Sequence, residues 1–173
     1  MKKIYLLILP LALYLGSCKN GKTADDSADV IPAGMVQIDL TSRGGLPITI
    51  DIPDTAQNKL TITVQSYGET DITVGKNYAI SISQGQGDMK LKKADIAGND
   101  VDKFQKFILQ DSTTLMYQSQ IVSPEFHFYT IVKTGKSAYV VQDLTSDIYP
   151  QEAIQTMLTS AKTIKEKAAA PKA

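Results

Sequence analysis

From Met35 onward apolar residues recur at every second position. That alternation is the strongest constraint on the fold, because an apolar set of period two is buried by strands that cover one face. Val36, Ile38 and Leu40 alternate with Gln37 and Asp39, and Arg43-Gly44-Gly45 supplies a turn. Leu46, Ile48, Ile50 and Ile52 alternate with Pro47, Thr49 and Asp51 until Pro53-Asp54 ends the run. Leu60, Ile62 and Val64 repeat the pattern; after Tyr67-Gly68, Ile72 and Val74 form a short strand, and Gly75-Lys76-Asn77 turns into Tyr78, Ile80 and Ile82. The first half therefore predicts an antiparallel meander. Strand patterns return at Leu115 to Ile121, Glu125 to Val132 and Ala138 to Asp143, with Lys133 to Ser137 as a hairpin turn.

Between these two blocks the period changes. Asp88 suits the N-cap of a helix in which Ala94, Ala97, Val101, Phe104 and Ile108 fall at three- and four-residue spacing. Gly98-Asn99 lies inside the stretch, so it reads as one imperfect helix or two short ones. A second helix is predicted from Pro150, with Glu152 in its first turn and Ile154, Met157, Leu158, Ala161 and Ile164 as its apolar stripe. Lys162, Lys165 and Lys167 would complement the dipole at its end. The expected class is α+β, an antiparallel sheet of about six to eight strands covered by two helices. A single domain over 36–167 and a disordered tail over 168–173 complete the expectation. The chain is 43% hydrophobic and 21% charged, the balance of a globular protein with a core.

The first 35 residues read differently. Lys2 and Lys3 precede an apolar run from Ile4 to Gly16, the charged and hydrophobic regions of a signal peptide over 1–17. Thirteen helical residues reach only about 20 Å, short of the roughly 30 Å of bilayer hydrocarbon, so this run is not a spanning helix. It closes with Leu15-Gly16-Ser17-Cys18, and Cys18 is the only cysteine in the chain. These four residues resemble the lipobox of bacterial lipoproteins. The resemblance implies cleavage between Ser17 and Cys18, a diacylglyceryl group on the Cys18 thiol and an acylated, palmitate-type amine. The alternative is an ordinary secretory leader beside a free thiol. Two or more acyl chains would hold the protein at the membrane, since each buried methylene contributes about 0.8 kcal/mol. Lys19 follows the cysteine, which by the same resemblance favours the outer over the inner membrane. Asp25 and Asp26 lie too far along for a clear surface-export signal. Residues 18–35 read as the lipidated N-terminus and a flexible tether reaching roughly 20–25 Å.

Within the domain, the element order, the stretch Phe107-Ile108-Leu109-Gln110-Asp111, the paired strands Phe126-His127-Phe128-Tyr129 and Ala138-Tyr139-Val140-Val141, and the terminal amphipathic helix resemble the PsbP-like and DcrB-like α/β/α sandwich proteins. The resemblance covers roughly residues 40–167. It implies a non-enzymatic binding or assembly-support role and carries over no site residues.

No catalytic residues assemble in the sequence. Gly16 to Thr23 matches the letters of a phosphate-binding P-loop but straddles the cleavage point, and Gly135-Lys136-Ser137 lacks the upstream glycine. His127, the only histidine, is flanked by aromatics on a strand and reads first as a core histidine, second as a base or ligand. One histidine and one lipidated cysteine fall short of a typical zinc site, so no metal and no cofactor are expected. Asp95, Asn99, Asp100 and Asp102 lack the spacing of a calcium loop and read as a solvated helix face, as do Lys90, Lys92, Lys93, Lys103 and Lys106, for which a patch binding anionic glycan or lipid is the alternative. Asp51 and Asp54 read as turn residues. Tyr67, Tyr78, Tyr117, Tyr129 and Tyr139 lie in or beside strands, and Tyr67, Tyr117, Tyr129 and His127 are the candidate ligand-binding residues. Eighteen basic and eighteen acidic side chains cancel, and loss of Lys2 and Lys3 leaves a slightly acidic mature chain. Nucleic acid needs a concentrated basic surface and is not an expected partner. The expected function is a membrane-anchored module that binds an envelope partner protein without catalysis; the alternative is a small ligand held in a cleft between helix and sheet.

Overall fold

The computed structural model describes residues 31–135, 137–145 and 147–167. The expected signal peptide, Cys18, the tether as far as residue 30 and the tail over 168–173 lie outside the described residues. The meander predicted for the first half is present but divided between two sheets. Strand β1 (Met35–Asp39) pairs with β2 (Ile48–Pro53), Ile38 opposite Ile50, across a 3-10 turn at Thr41–Arg43. Gly44 ends that turn at φ +76°, a left-handed value that favours glycine. The chain then builds β3 (Leu60–Val64), β4 (Thr70–Val74), β5 (Ala79–Gln84), helix α1 (Met89–Ala97), β6 (Lys103–Gln110), β7 (Thr114–Gln120), β8 (Pro124–Thr134), β9 (Ser137–Asp143), helix α2 (Gln151–Ala161) and β10 (Lys165–Glu166).

The fold is α+β, with a seven-stranded sheet ordered β3-β4-β5-β9-β8-β7-β6 and a three-stranded sheet ordered β1-β2-β10. All neighbours are antiparallel. Two hairpin blocks meet where β5 pairs with β9, Ile82 opposite Val141, and α1 lies in the connection between them. Residues of β7 and β8 alternate between two separate cores. Met116 and Phe128 join Ile154, Met157 and Leu158 of α2 together with Ile48, Ile50 and Ile52 of β2. Leu115, Tyr129 and Ile131 join Ile96 of α1 instead. The central strands are thus covered on both faces, which is why His127 to Ile131 are buried without a break.

Helix α2 lies between β2 and the large sheet, and its polar neighbours are matched. Ser160 donates to the Asp51 carbonyl and receives the Tyr78 hydroxyl at 2.6 Å. The Asp51 N–H donates to Thr163 Oγ1 at 2.8 Å, and that hydroxyl donates to the Ser160 carbonyl at 2.7 Å. Asp51 is therefore a buried strand residue, its carboxylate accepting from Gln37 at 3.2 Å, while Asp54 accepts from the Ala56 N–H in an exposed turn.

Two helix boundaries differ from the periodicity. The stripe predicted from Asp88 to Ile108 ends at Ala97, and residues 103–110 are the edge strand β6. Its register shifts between Phe104 and Lys106 and between Phe107 and Leu109. Each irregularity breaks the alternation of period two, and Phe104 and Phe107 reach the same core with ring centroids 4.6 Å apart. Three-residue spacing in the sequence was a bulged strand. Lys103 and Lys106 accordingly lie on a strand, and Asn99, Asp100 and Asp102 lie in the α1–β6 loop rather than on a helix face. At the C-terminus, α2 ends at Ala161 with Lys162 as its C-cap; Ile164 is buried beyond it, and Lys165 pairs with Thr49 of β2 instead of extending the helix.

Candidate functional site

The α1 face of the large sheet carries the titratable groups. Register places Tyr117 opposite His127, Ser119 opposite Glu125, and Tyr129 opposite Gln142, so Glu125, His127 and Tyr129 share one face of β8 at two-residue spacing. The regular β8–β9 pairing stops at Tyr129 and Gln142, and the next residue, Asp143, substitutes its side chain for the ladder. Its Oδ1 accepts the Phe128 N–H at 2.7 Å and its Oδ2 accepts from His127 Nδ1 at 2.7 Å. A carboxylate held by a backbone amide thus fixes the ring of a buried histidine.

The other ring nitrogen faces two more carboxylates. Asn99 Oδ1 accepts the Val101 and Asp102 N–H groups at 3.0 Å each, an Asx turn that brings the α1–β6 loop over the sheet. This places Asp102 Oδ2 3.6 Å from His127 Nε2, and Glu125 Oε2 lies 3.9 Å from the same atom. Neither distance is a hydrogen bond. His127 Nε2 and Asp102 Oδ1 are both buried without a hydrogen-bond partner among the described residues. The Tyr117 ring packs 5.2 Å from the imidazole centroid.

Burial pulls His127 toward its neutral form, but the Asp143 hydrogen bond and the charges of Asp143, Asp102 and Glu125 outweigh it, so the net shift is upward. Burial, with Asp143 and Asp102, pushes the Tyr117 phenol well above its ordinary value, so it stays protonated. Lys92 of α1 is shifted down by burial, against the pull of Asp143 and Asp95; it donates to Gln142 Oε1 at 3.2 Å and lies 5.1 Å from the centre of the Tyr129 ring.

A cleft of about 240 Å³ opens beside this cluster, lined among others by Tyr67, Glu69, Asp71, Lys92, Tyr117 and Asp143. A smaller concavity of about 100 Å³ lies between α1 and β7, where Asp102 and Tyr117 meet Lys92, Asp95 and Asn99. A larger concavity, about 360 Å³, is elsewhere, between Asn58, Tyr78 and the start of α2, and the charged groups that line it are Lys76 and Glu152. The titratable cluster, not the larger space, marks the candidate site.

Of the residues singled out from sequence, Tyr117 and His127 pack together and Tyr67 reaches the same cleft from the β3–β4 turn, largely exposed. Tyr129 points under α1 and does not line the cleft. Sequence reasoning did not single out Asp143 or Glu125 as members of a site, and it set Asp102 and Lys92 aside as residues of a solvated helix face. Glu125 had a visible signal, two residues before His127 on one strand. Asp143 and Asp102 arrive through pairing and a loop turn, with no local signal. Chemically, His127 Nε2 faces carboxylates rather than a hydroxyl or thiol, which is an arrangement for holding positive charge rather than for activating a nucleophile. Comparison with protein-family models, curated proteins and solved structures found no match to this chain.

Proposed function

We propose that this chain is an envelope lipoprotein, anchored through lipid on Cys18, whose domain binds a partner protein without catalysis. The observation that carries the reading is the end of the large sheet beside His127. Lys103 pairs with Gln120, and Gln120 with Pro124, so Val101, Ile121 and Val122 gather at one end of the sheet and are 72%, 53% and 89% exposed. Apolar side chains clustered beside charged ones are the composition of a protein-binding surface. Anchoring would add to this by confining encounters to the membrane plane and raising effective concentration. A helix on each face of an antiparallel sheet is consistent with the PsbP-like and DcrB-like α/β/α sandwich, and Lys19 with the outer membrane.

The test has two parts. Intact mass and membrane partition are measured for the chain expressed with its own leader, beside Cys18→Ser. The reading expects lipid mass and membrane association for the wild type alone; two soluble, unmodified proteins reject the anchor. A photo-crosslinking residue is then placed at Val122 or, as control, at Thr61 on the far edge strand β3. The reading expects a discrete envelope adduct from position 122 only. A second reading, a small polar ligand in the cleft between Tyr67 and Tyr117, is favoured by that cleft's converging tyrosines and charged lining. It predicts a ligand-dependent change in Tyr117 resonances with no adduct at Val122.

A further inference from the structure

We propose that Asp102, Glu125 and His127 form a binding site for one divalent transition-metal ion, Zn²⁺ by preference, with Asp143 as the residue that positions the histidine. One oxygen from each carboxylate and one imidazole nitrogen all lie within 4.8 Å of one another. Two ligand atoms, each about 2.1 Å from a tetrahedral ion, stand roughly 3.4 Å apart. The separations from His127 Nε2, 3.6 Å to Asp102 and 3.9 Å to Glu125, need a few tenths of an ångström of closure, and the two carboxylates, within 4.8 Å of each other, up to about 1.4 Å, which a loop aspartate and a strand-end glutamate can supply by side-chain rotation.

The observation independent of the acidic cluster is the histidine itself. His127 is only 5% exposed, and its buried Nε2 has no hydrogen-bond partner among the described residues while aiming between the two carboxylates. A buried nitrogen of this kind is costly unless something pairs with it. The far side of the ring is already arranged as metal-ligating histidines are. Nδ1 donates to Asp143 Oδ2 at 2.7 Å, which in the neutral imidazole leaves the lone pair on Nε2, and Asp143 is itself held by the Phe128 N–H. Two carboxylates balance the charge of a divalent ion. One imidazole with two carboxylates suits Zn²⁺ or Mn²⁺, and the general affinity order puts Zn²⁺ ahead; calcium would need six to eight oxygen ligands. Three protein ligands leave a coordination position for water, and Asp102 also lines the small concavity between α1 and β7.

The site stands whether or not Cys18 carries lipid, so its test is separate from that of the anchor. The full chain, extracted in detergent, stripped with EDTA and dialysed, is titrated with ZnCl2 and with MnCl2 by calorimetry near pH 7. The expected result is one Zn²⁺ per chain and weaker Mn²⁺. Glu125→Gln and Asp102→Asn, at partly exposed positions where folding should survive, are each expected to lower Zn²⁺ affinity at least about tenfold with the circular dichroism spectrum unchanged. Asp143→Asn is expected to cost about ten- to a hundredfold and to change the imidazole tautomer seen in ¹⁵N spectra, a signature that a merely structural role would not move. X-ray absorption of the wild-type complex should report nitrogen and oxygen ligands only. Absence of stoichiometric Zn²⁺ binding, binding unaffected by both Glu125→Gln and Asp102→Asn, or a sulfur ligand would each overturn the proposal.

Discussion

The two faces of the large sheet carry different loads. Helix α2 buries Ala153, Ile154, Met157, Leu158, Ser160 and Ala161 against one of them, and its buried hydroxyl and the neighbouring strand amide are paired. Helix α1 buries Ile96 alone on the other face, over a small core, and beside it lie His127 Nε2 and Asp102 Oδ1, without hydrogen-bond partners among the described residues. Both helices cover the same central strands, yet only one resembles a core optimised for stability. Unpaired buried polar atoms oppose folding and occur on both sides, Tyr139 Oη among them in the α2-side core; what sets the thinner side apart is the gathering of three carboxylates around one buried histidine, and that marks it as the side kept for binding.

That contrast is open to direct attack. The largest effect is expected for Ile154→Ala, at 0% exposure between the two sheets, which should cost about 2–5 kcal/mol of unfolding free energy in urea titrations. Ile96→Ala should fall below it, because the cavity left under α1 adjoins solvent-accessible concavities; an equal or larger loss would break the comparison. Next comes Ser160→Ala, which strands the Tyr78 hydroxyl and the Asp51 carbonyl and should cost about 1–3 kcal/mol. Asp102→Asn, measured in EDTA, should change stability by less than about 1 kcal/mol, since its partly exposed carboxylate makes no hydrogen bond to His127. A loss as large as that of Ser160→Ala would show the acidic cluster to be structural.

The smallest effect concerns the β6–β7 turn. The N–H of Thr113 holds the exposed Asp111 carboxyl below its ordinary 3.8, with help from the Thr113 hydroxyl and the Thr114 N–H. A carboxyl whose folded value is depressed contributes stability above its unfolded value and loses that contribution as pH falls through the folded one. The turn should therefore loosen only below about pH 4, and Asp111→Asn should flatten that acid limb. Titration of the Asp111 carboxyl resonance, followed with the Thr113 amide, checks both.

Much of the architecture was legible because one buried face enforces period two. Strands β1 to β5 and β7 to β9 fall where alternation puts them, and Asp88 caps α1 as its side chain predicts, accepting from the Lys90 and Leu91 N–H groups. Strand β6 was misread because its irregular register imposes the spacing of a helix on an edge strand. Strand β10 was missed because two residues carry no period; Lys165 and Glu166 become a strand only because β2 offers them an open edge. The site was half legible. Tyr117 and His127 stood out as polar aromatics on apolar strands, whereas Asp102 looked like one more solvated acid.

By itself, then, the sequence determined the regular strands β1 to β5 and β7 to β9, the start of each helix and most of the residues that face a core, since those follow from local period, caps and turn residues. It also carries Lys2, Lys3, the apolar run after them and Leu15-Gly16-Ser17-Cys18, whose resemblance to a lipoprotein leader underlies the proposed envelope role. Only the tertiary structure decided that the meander divides into two sheets, that β5 pairs with β9, and that Asp102, Glu125, His127 and Asp143 converge. The physical reason is range: alternation acts between neighbours in the chain, while the convergence depends on a strand ladder ending at Gln142 and on a loop turned by Asn99. Neither event leaves a periodic trace.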